Sequence, residues 1–250
     1  DLHKYGIANA VGGREVGPRP KMLHIKKRTL LDYTYLCFFL GNDFIPRLQC
    51  LRIRDGSIAD LIVLYKETRW SLDDYLVNEN LSINKTFLFC FITELDKMSD
   101  QLLLQQTSNR QDRIAKFNYY NASKDTYERE KELYQCVEAR YPDTLQLGTA
   151  GWRNRYYRYY MNINNRNESE FMRHINPICK SYIEGTVWVL KYYVGHHNNW
   201  SWYYPYNAAP TTYDLMNWLT NTIGSYINYT FSTDMPVTPV VQLLSILPPD

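Results

Sequence analysis

The stretch FFLGNDFIPR, residues 38–47, runs from a greasy segment through a glycine to a single carboxylate and then a proline. Working outward, the preceding residues Thr29–Leu40 form a segment that is apolar nearly all round, LLDYTYLCFFL. Such a pattern predicts a helix covered on all sides. Gly41 closes it as a C-terminal cap, so Asp43 emerges at a helix end beside the core, and Pro46 stiffens the exit. A carboxylate in that position has two readings. It caps the next turn, or it is held out as a metal ligand.

The flanking sequence is helical in pattern. In RIRDGSIADLIVLYKET (52–68), Ile58, Leu61, Ile62 and Tyr65 share one face. Asp55 reads as the cap of that helix, Asp60 lies on its polar side, and Asp73 and Asp74 read as the start of another helix at LDDYL. The clearest helix opens on Asn84 as N-cap and carries Phe87, Leu88, Phe91, Ile92, Leu95, Met98 and Leu102 at helical spacing. Residues 110–140 are charged and polar, with a helix at DTYEREKELYQCVEAR. A buried helix is predicted from Pro177, a residue suited to the first turn, to Gly195. Loop chemistry marks VGGREVGPRP (11–20) and HHNNWSWYYPYNAAP (196–210). A short helix and a proline stop close the sequence, and no internal repeat is visible.

With 250 residues, 45% hydrophobic and 22% charged, the chain is long enough for a sizeable core. A net charge of +2 supplies no broad basic field for nucleic acid, so any basic groove is local. Twenty-three Tyr and six Trp imply a wide core or exposed stacking surfaces. The five Cys have no C-x-x-C pair and read as buried free thiols rather than a zinc or disulfide framework. No apolar run reaches the ~18 residues of a membrane span, and no signal peptide is seen.

Five segments resemble, in order, the 5′→3′ exoribonucleases of the Xrn family: YLCFFLGNDFIPRL, LRIRDGSIADLIVLYK, GWRNRYYRYYM, CKSYIEGTVWVLKYY with WSWYYPYNAAP, and PVTPVVQLLSILP. The likeness covers roughly residues 29–106 and 145–248. It implies a mainly α-helical segment of a larger α/β nuclease, with a PIN/flap-nuclease-like catalytic core and a helical second region. On that reading 1–28 is linker, 29–106 the C-terminal part of the nuclease core, 107–144 a charged surface excursion, and 145–250 the second conserved region packing on the core.

The resemblance also implies roles. Asp43 corresponds to the Asp of the family's GNDF signature, one member of an acidic cluster binding Mg²⁺, with Mn²⁺ an alternative. Most other ligands, and the pocket for an RNA 5′-phosphate, are implied upstream of this sequence. Two-metal phosphodiester cleavage needs several carboxylates around ions about 3.5–4 Å apart, so one carboxylate does not complete the site. The chain is therefore expected to be inactive alone and to need an upstream nuclease half, in cis or as a second chain. The sequence departs from the family where Arg47 stands for a His, and where Asn207 and Ala208 stand for His and Tyr.

Candidate RNA-binding residues are Trp200, Trp202, Arg47, Arg153 and Arg155. Aromatic faces stack on bases without sequence preference, and Arg153, Arg155 and Arg158 interleave with Tyr156, Tyr157 and Tyr159 in a pattern that suits a strand groove. Each has a structural alternative: core packing for the aromatics, cation–π surface packing for the arginines, a plain surface charge for Arg47. His196 and His197 are adjacent and splay apart in any regular backbone, which argues against a metal pair. The expected function is thus part of an Xrn-like, Mg²⁺-dependent exoribonuclease acting on 5′-monophosphorylated single-stranded RNA. The alternative is a catalytically inactive relative serving as a structural or particle-associated scaffold. The expected compartment is cytoplasmic, with a nucleus or virion as alternatives.

Overall fold

The long helices bury one face each and meet in a common core. In the computed structural model, which describes residues 20–164, 167–196 and 199–248, helix α1 (Pro20–Phe38) is followed by a 3₁₀ turn (Ile53–Asp55), α2 (Ser57–Leu72), strand β1 (Ile83–Asn84) and the 37-residue α3 (Lys85–Asn121). Then come α4 (Thr126–Gln135), α5 (Val137–Arg140), α6 (Trp152–Met161), α7 (Glu168–Tyr193), α8 (Thr212–Asn221), strand β2 (Tyr226–Ile227) and α9 (Pro239–Ser245). The mainly α-helical reading holds. The two short strands pair antiparallel, Ile83 with Ile227 and Asn84 with Tyr226. Helix α3 packs on α2 and α8, and α7 packs on α1 and α8.

Local chemistry explains most of the helix ends. Asn84 caps α3 by accepting from the Phe87 N–H, as its position predicts, and Phe87, Leu88, Phe91, Ile92 and Leu95 are buried below it. Thr211, Asp125 and Thr238 cap α8, α4 and α9 in the same way. Helix α1 begins at Pro20, ahead of the predicted Thr29, and α3 runs unbroken through residues 106 and 107, where the sequence reading set a boundary. The part of the predicted linker before Pro20 lies outside the described residues, as does His197.

Three local expectations need correction. Pro177 does not start a helix; it lies inside α7, which begins at Glu168 with the Asn167 side chain accepting from the Ser169 N–H. Pro177 and Arg173 are both exposed, so the carbonyl released by the missing N–H faces solvent. Asp73 and Asp74 end α2 rather than open a helix. Asp73 adopts φ +48° as the C-cap, and Asp74 accepts from the Tyr75 N–H and the Asn84 side chain. Asp55 does not cap α2; Gly56 occupies that position, and Asp55 accepts from the Asn109 side chain of α3.

Two buried carboxylates hold the helices together, and neither stands out in the sequence. Asp32 of α1 accepts from the Tyr65 hydroxyl at 2.7 Å and from the backbone N–H groups of Leu76 and Val77 at 3.0 and 2.7 Å. Burial raises its pKa against the lowering effect of those donors. Asp214 of α8 anchors α6, as described below. The five cysteines are free thiols; Cys50 and Cys179 are buried, and burial pushes the Cys50 thiol up to about 12. Among the described residues no helix is long and apolar enough to cross a membrane.

Candidate functional site

The loop after α1 is built so that its carboxylate is spared. Gly41 sits at φ +84°, and a Cβ there would fall 2.9 Å from the Arg47 nitrogen, so both conformation and space require glycine. Asn42 then makes the turn. Its Oδ1 accepts from the N–H groups of Phe44 (2.9 Å) and Ile45 (3.1 Å), and its own N–H donates to the Ile45 carbonyl. The capping work that a lone Asp would ordinarily do falls to its neighbour. Asp43 is exposed and has no hydrogen bond or ion pair among the described residues.

The residues after Asp43 are gripped by α7. Phe44 lies edge-on to Trp188 and Tyr192, with ring centroids 5.0 Å apart in each case. Ile45 is buried against Gly185, and the Tyr182 hydroxyl donates to the Pro46 carbonyl at 3.1 Å. The Leu48 N–H returns to the Phe39 carbonyl at 2.9 Å and closes the loop. Tyr35 of α1 bonds Thr186 of α7 at 2.7 Å. The segment YIEGTVW, residues 182–188, is therefore the floor on which the Asp43 loop rests.

Gly185 is the tightest point of that floor. A Cβ there would lie 2.7 Å from Trp202 Cη2 and 2.8 Å from Ile45 Cγ2. Gly185→Ala is expected to cost about 1–3 kcal/mol by overpacking and to shift Ile45, hence Asp43. Urea denaturation checks the stability and an RNA-decay assay on the full-length protein checks the shift; parental values in both would mean that the floor yields freely.

The two candidate tryptophans have different places. Trp202 is half-buried and stacks on Trp188 at 5.2 Å. Trp200 is 49% exposed. Its loop is tied down by Asp234, which accepts from the Trp200 N–H and from the N–H and hydroxyl of Ser201, and by Asn199, which bonds Ser232 and the Trp202 N–H. Those donors hold the exposed Asp234 carboxyl below its usual pKa. Trp202→Ala is expected to destabilise by about 3 kcal/mol, the low end for a tryptophan because it is only half-buried. Trp200→Ala is expected to leave the melting temperature within a degree or two and to weaken single-strand binding by about 1–3 kcal/mol. Thermal melts and oligonucleotide titrations on each variant give the comparison; the reverse pattern would exchange their roles.

Arg153 and Arg155 are committed to the protein itself, and among the described residues Arg47 is engaged through Nη1 alone. Arg153 Nε and Nη2 grip Asp214 at 3.1 and 2.5 Å, Nη1 meets Glu168 at 3.2 Å, and the guanidinium lies over Phe171 at 4.6 Å. Burial lowers the Arg153 pKa, but these carboxylates outweigh it and raise it. Arg155 staples the loop before α6 by donating to the carbonyls of Leu145, Gln146 and Ala150 and to the Thr149 hydroxyl. Arg47 turns Nη1 onto the carbonyls of Leu48, Gln49 and Leu51 at 3.4, 3.0 and 2.7 Å. Tyr156 and Tyr157 are buried, whereas Tyr159 is exposed. Helix α6 is thus amphipathic, and its Arg–Tyr alternation belongs largely to packing. Asn207 Nδ2 donates to the Tyr160 carbonyl at 3.2 Å, and Ala208 is buried.

A hard divalent cation takes oxygen ligands and keeps several waters, so one or two carboxylates per ion are usual. Asp43 can supply one. Among the described residues no three His, Cys, Asp or Glu converge as a metal site. The arrangement can present one anionic ligand rigidly; it does not encircle an ion.

The described residues thus form a helical assembly that presents a single exposed carboxylate on a braced loop. The family model of the Xrn1 helical domain matches residues 25–142 and 122–250, and the chain belongs to this family. Among curated proteins it is similar to a 5′-3′ exoribonuclease 2 homolog of Drosophila melanogaster, 25% identical over 266 residues, covering 89% of this chain and 28% of that protein. It is 22% identical to the 5′-3′ exoribonuclease 2 of Gallus gallus, over 89% of this chain and 29% of the relative. A shorter match, 37% identical over 108 residues, joins it to the 5′-3′ exoribonuclease 2 of Cryptococcus neoformans, covering 43% of this chain and 9% of the relative. The chain therefore spans less than a third of the length of these relatives.

Proposed function

We propose that this chain is the helical part of a divalent-metal-dependent 5′→3′ exoribonuclease that degrades 5′-monophosphorylated single-stranded RNA, and that Asp43 is its contribution to the metal centre. The observation that carries the reading is the Asp43 loop. Asn42 makes the turn, α7 braces the following residues, and the carboxylate is left exposed and unpartnered among the described residues. A bound Mg²⁺ or Mn²⁺ would stabilise charge on the phosphate and supply an activated water. The remaining ligands would come from residues outside those described. Asp43 would hold one negative charge at a fixed point, and Gly185, Tyr182 and Trp188 would keep that point from moving. Trp200 would offer a base-stacking face.

Substitution of Asp43 by Asn in the full-length protein, assayed with Mg²⁺ or Mn²⁺ on 5′-monophosphorylated RNA, tests the assignment. In the same assay residues 1–250 alone are expected to show no metal-dependent decay, because a two-metal centre needs several carboxylates. Processive decay by the isolated segment, abolished by Asp43→Ala, would show that other carboxylates of this chain build the site.

A further inference from the structure

A cleft of about 260 Å³ opens where the segment after the Asp43 loop meets α3 and α6. Arg47 and Arg52 line it from that segment, Arg110 from α3, and Tyr159 and Tyr160 from the end of α6. Its one acidic lining residue is Asp143, 3.6 Å from Arg110. Asp55 forms a long ion pair with Arg52, Oδ2 to Nε at 3.9 Å, while its Oδ1 accepts from Asn109. Arg47 has carbonyl partners and, among the described residues, no carboxylate. Among the described residues three guanidinium groups thus stand against two carboxylates, Asp143 in the lining and Asp55 beside Arg52. Burial, and after it the like charge of Arg52, lower the Arg47 pKa.

The cleft is also preformed. Arg155 staples the loop carrying Leu145 and Leu147, and that loop lies hard on α3: a Cβ on Gly148 would fall 3.1 Å from both Leu103 Cβ and the Leu104 nitrogen. Gln106 of α3 holds the opposite side by donating to the Gln49 and Cys50 carbonyls at 3.2 and 2.7 Å. Tyr159 is 66% exposed at the rim, set edge-on to Tyr160 at 4.9 Å. A guanidinium cluster selects a phosphate, for which its planar donor forks are matched. A rim tyrosine selects a flat ring beside that phosphate.

We propose that this cleft binds a nucleoside monophosphate unit, its phosphate on Arg52 and Arg47 and its base against Tyr159. That unit comes either from free nucleotide or from a residue of a bound RNA strand. The inference rests on the cleft's own residues and does not depend on Asp43 or on the nuclease reading.

The test is isothermal titration of the full-length protein with AMP, adenosine, inorganic phosphate and a short oligouridylate. The proteins compared are the parent, Arg52→Gln, Tyr159→Ala and Asp43→Asn. Circular dichroism confirms folding, which is expected because Arg52 and Tyr159 lie at the rim. AMP is expected to bind, phosphate more weakly and adenosine not at all. Arg52→Gln should weaken AMP by about ten- to a hundredfold, the loss of one hydrogen bond to a charged group, while Asp43→Asn leaves that binding unchanged. Oligouridylate binding that drops in Arg52→Gln and Tyr159→Ala, with no AMP binding, supports the strand as the source. Affinities for AMP and oligouridylate that are unchanged in both folded rim variants overturn the proposal, as does AMP binding that disappears in Asp43→Asn instead.

Discussion

Asp43→Asn is expected to lower RNA decay by the full-length protein by roughly a hundredfold or more while leaving its stability unchanged. The expected rate loss follows from the role proposed for the carboxylate. Groups that merely orient a metal ligand are worth about 10- to 100-fold, and the direct ligand role proposed for Asp43 is worth at least that. Asparagine keeps the shape of the side chain and removes the charge that a hard cation requires. The stability estimate follows from the absence of partners. Asp43 is exposed and makes no hydrogen bond or ion pair among the described residues, whereas Asn42 makes the turn through two bonds. Surface changes of that kind fall within about 0.5 kcal/mol. Single-turnover decay of 5′-monophosphorylated RNA and a urea melt give the two readings. A variant that cuts at the parental rate removes Asp43 from the metal centre. A variant that is strongly destabilised means the carboxylate has a structural partner after all. Asn42→Ala should behave in the opposite sense, losing stability as the turn loosens.

What could be read from the sequence is local, and what could not is remote. The Asn84 cap, the apolar face of α3 and the glycine turn at Gly41 depend on residues a few positions apart, and each lies where its pattern indicates. The misreadings at Pro177, Asp73 and Asp55 have a common cause. Each residue carries a local signal that fits two positions, a helix start and something else, and tertiary packing selected the second. Pro177 is tolerated within α7 because the turns around it bury Ile175, Ile178 and Cys179. The candidate site divides in the same way. Asp43 was singled out through its motif, but its brace was not, since Tyr182 reaches Pro46 across 136 residues of chain. Arg153 and Arg155 were legible as charge beside aromatic rings, yet the pattern could not say whether the charge faced a strand or the protein. Asp32 and Asp214 sit within apolar-periodic segments, and apart from Thr211, three residues before Asp214, the partners named here lie 33 to 61 residues away. Their sequence signals are a lone acid amid hydrophobic residues and, for Asp214, the Thr-x-x-Asp spacing of a helix cap.

Asp214→Ala is expected to cost about 3–5 kcal/mol, the usual consequence of stripping one partner from a buried charged network. Asp214 is fully buried, and its two oxygens accept from Arg153 Nε and Nη2, from the Tyr157 hydroxyl at 2.8 Å and from the Thr211 hydroxyl at 2.5 Å. The Thr211 N–H in turn donates to the Tyr157 hydroxyl at 3.0 Å, and the Thr211 hydroxyl oxygen accepts from the Asp214 N–H to cap α8. Removal of the carboxylate leaves the Arg153 charge half-enclosed over Phe171, leaves the Tyr157 hydroxyl without its acceptor, and loosens the join of α6 to α8. The paired change Arg153→Met with Asp214→Leu removes both charges and should recover much of the loss, because an apolar pair avoids the desolvation cost that the ion pair only offsets. This comparison also decides what Arg153 is for. If it serves packing, Arg153→Met weakens the fold and leaves oligonucleotide affinity in the folded fraction unchanged. If it lines a strand groove, the affinity falls, its salt dependence becomes shallower by about one phosphate contact, and the stability stays near that of the parent. Urea melts of the three variants, set beside salt-dependent RNA titrations of the same samples, separate these outcomes, and the bidentate geometry of the Arg153–Asp214 pair is the reason to expect the first.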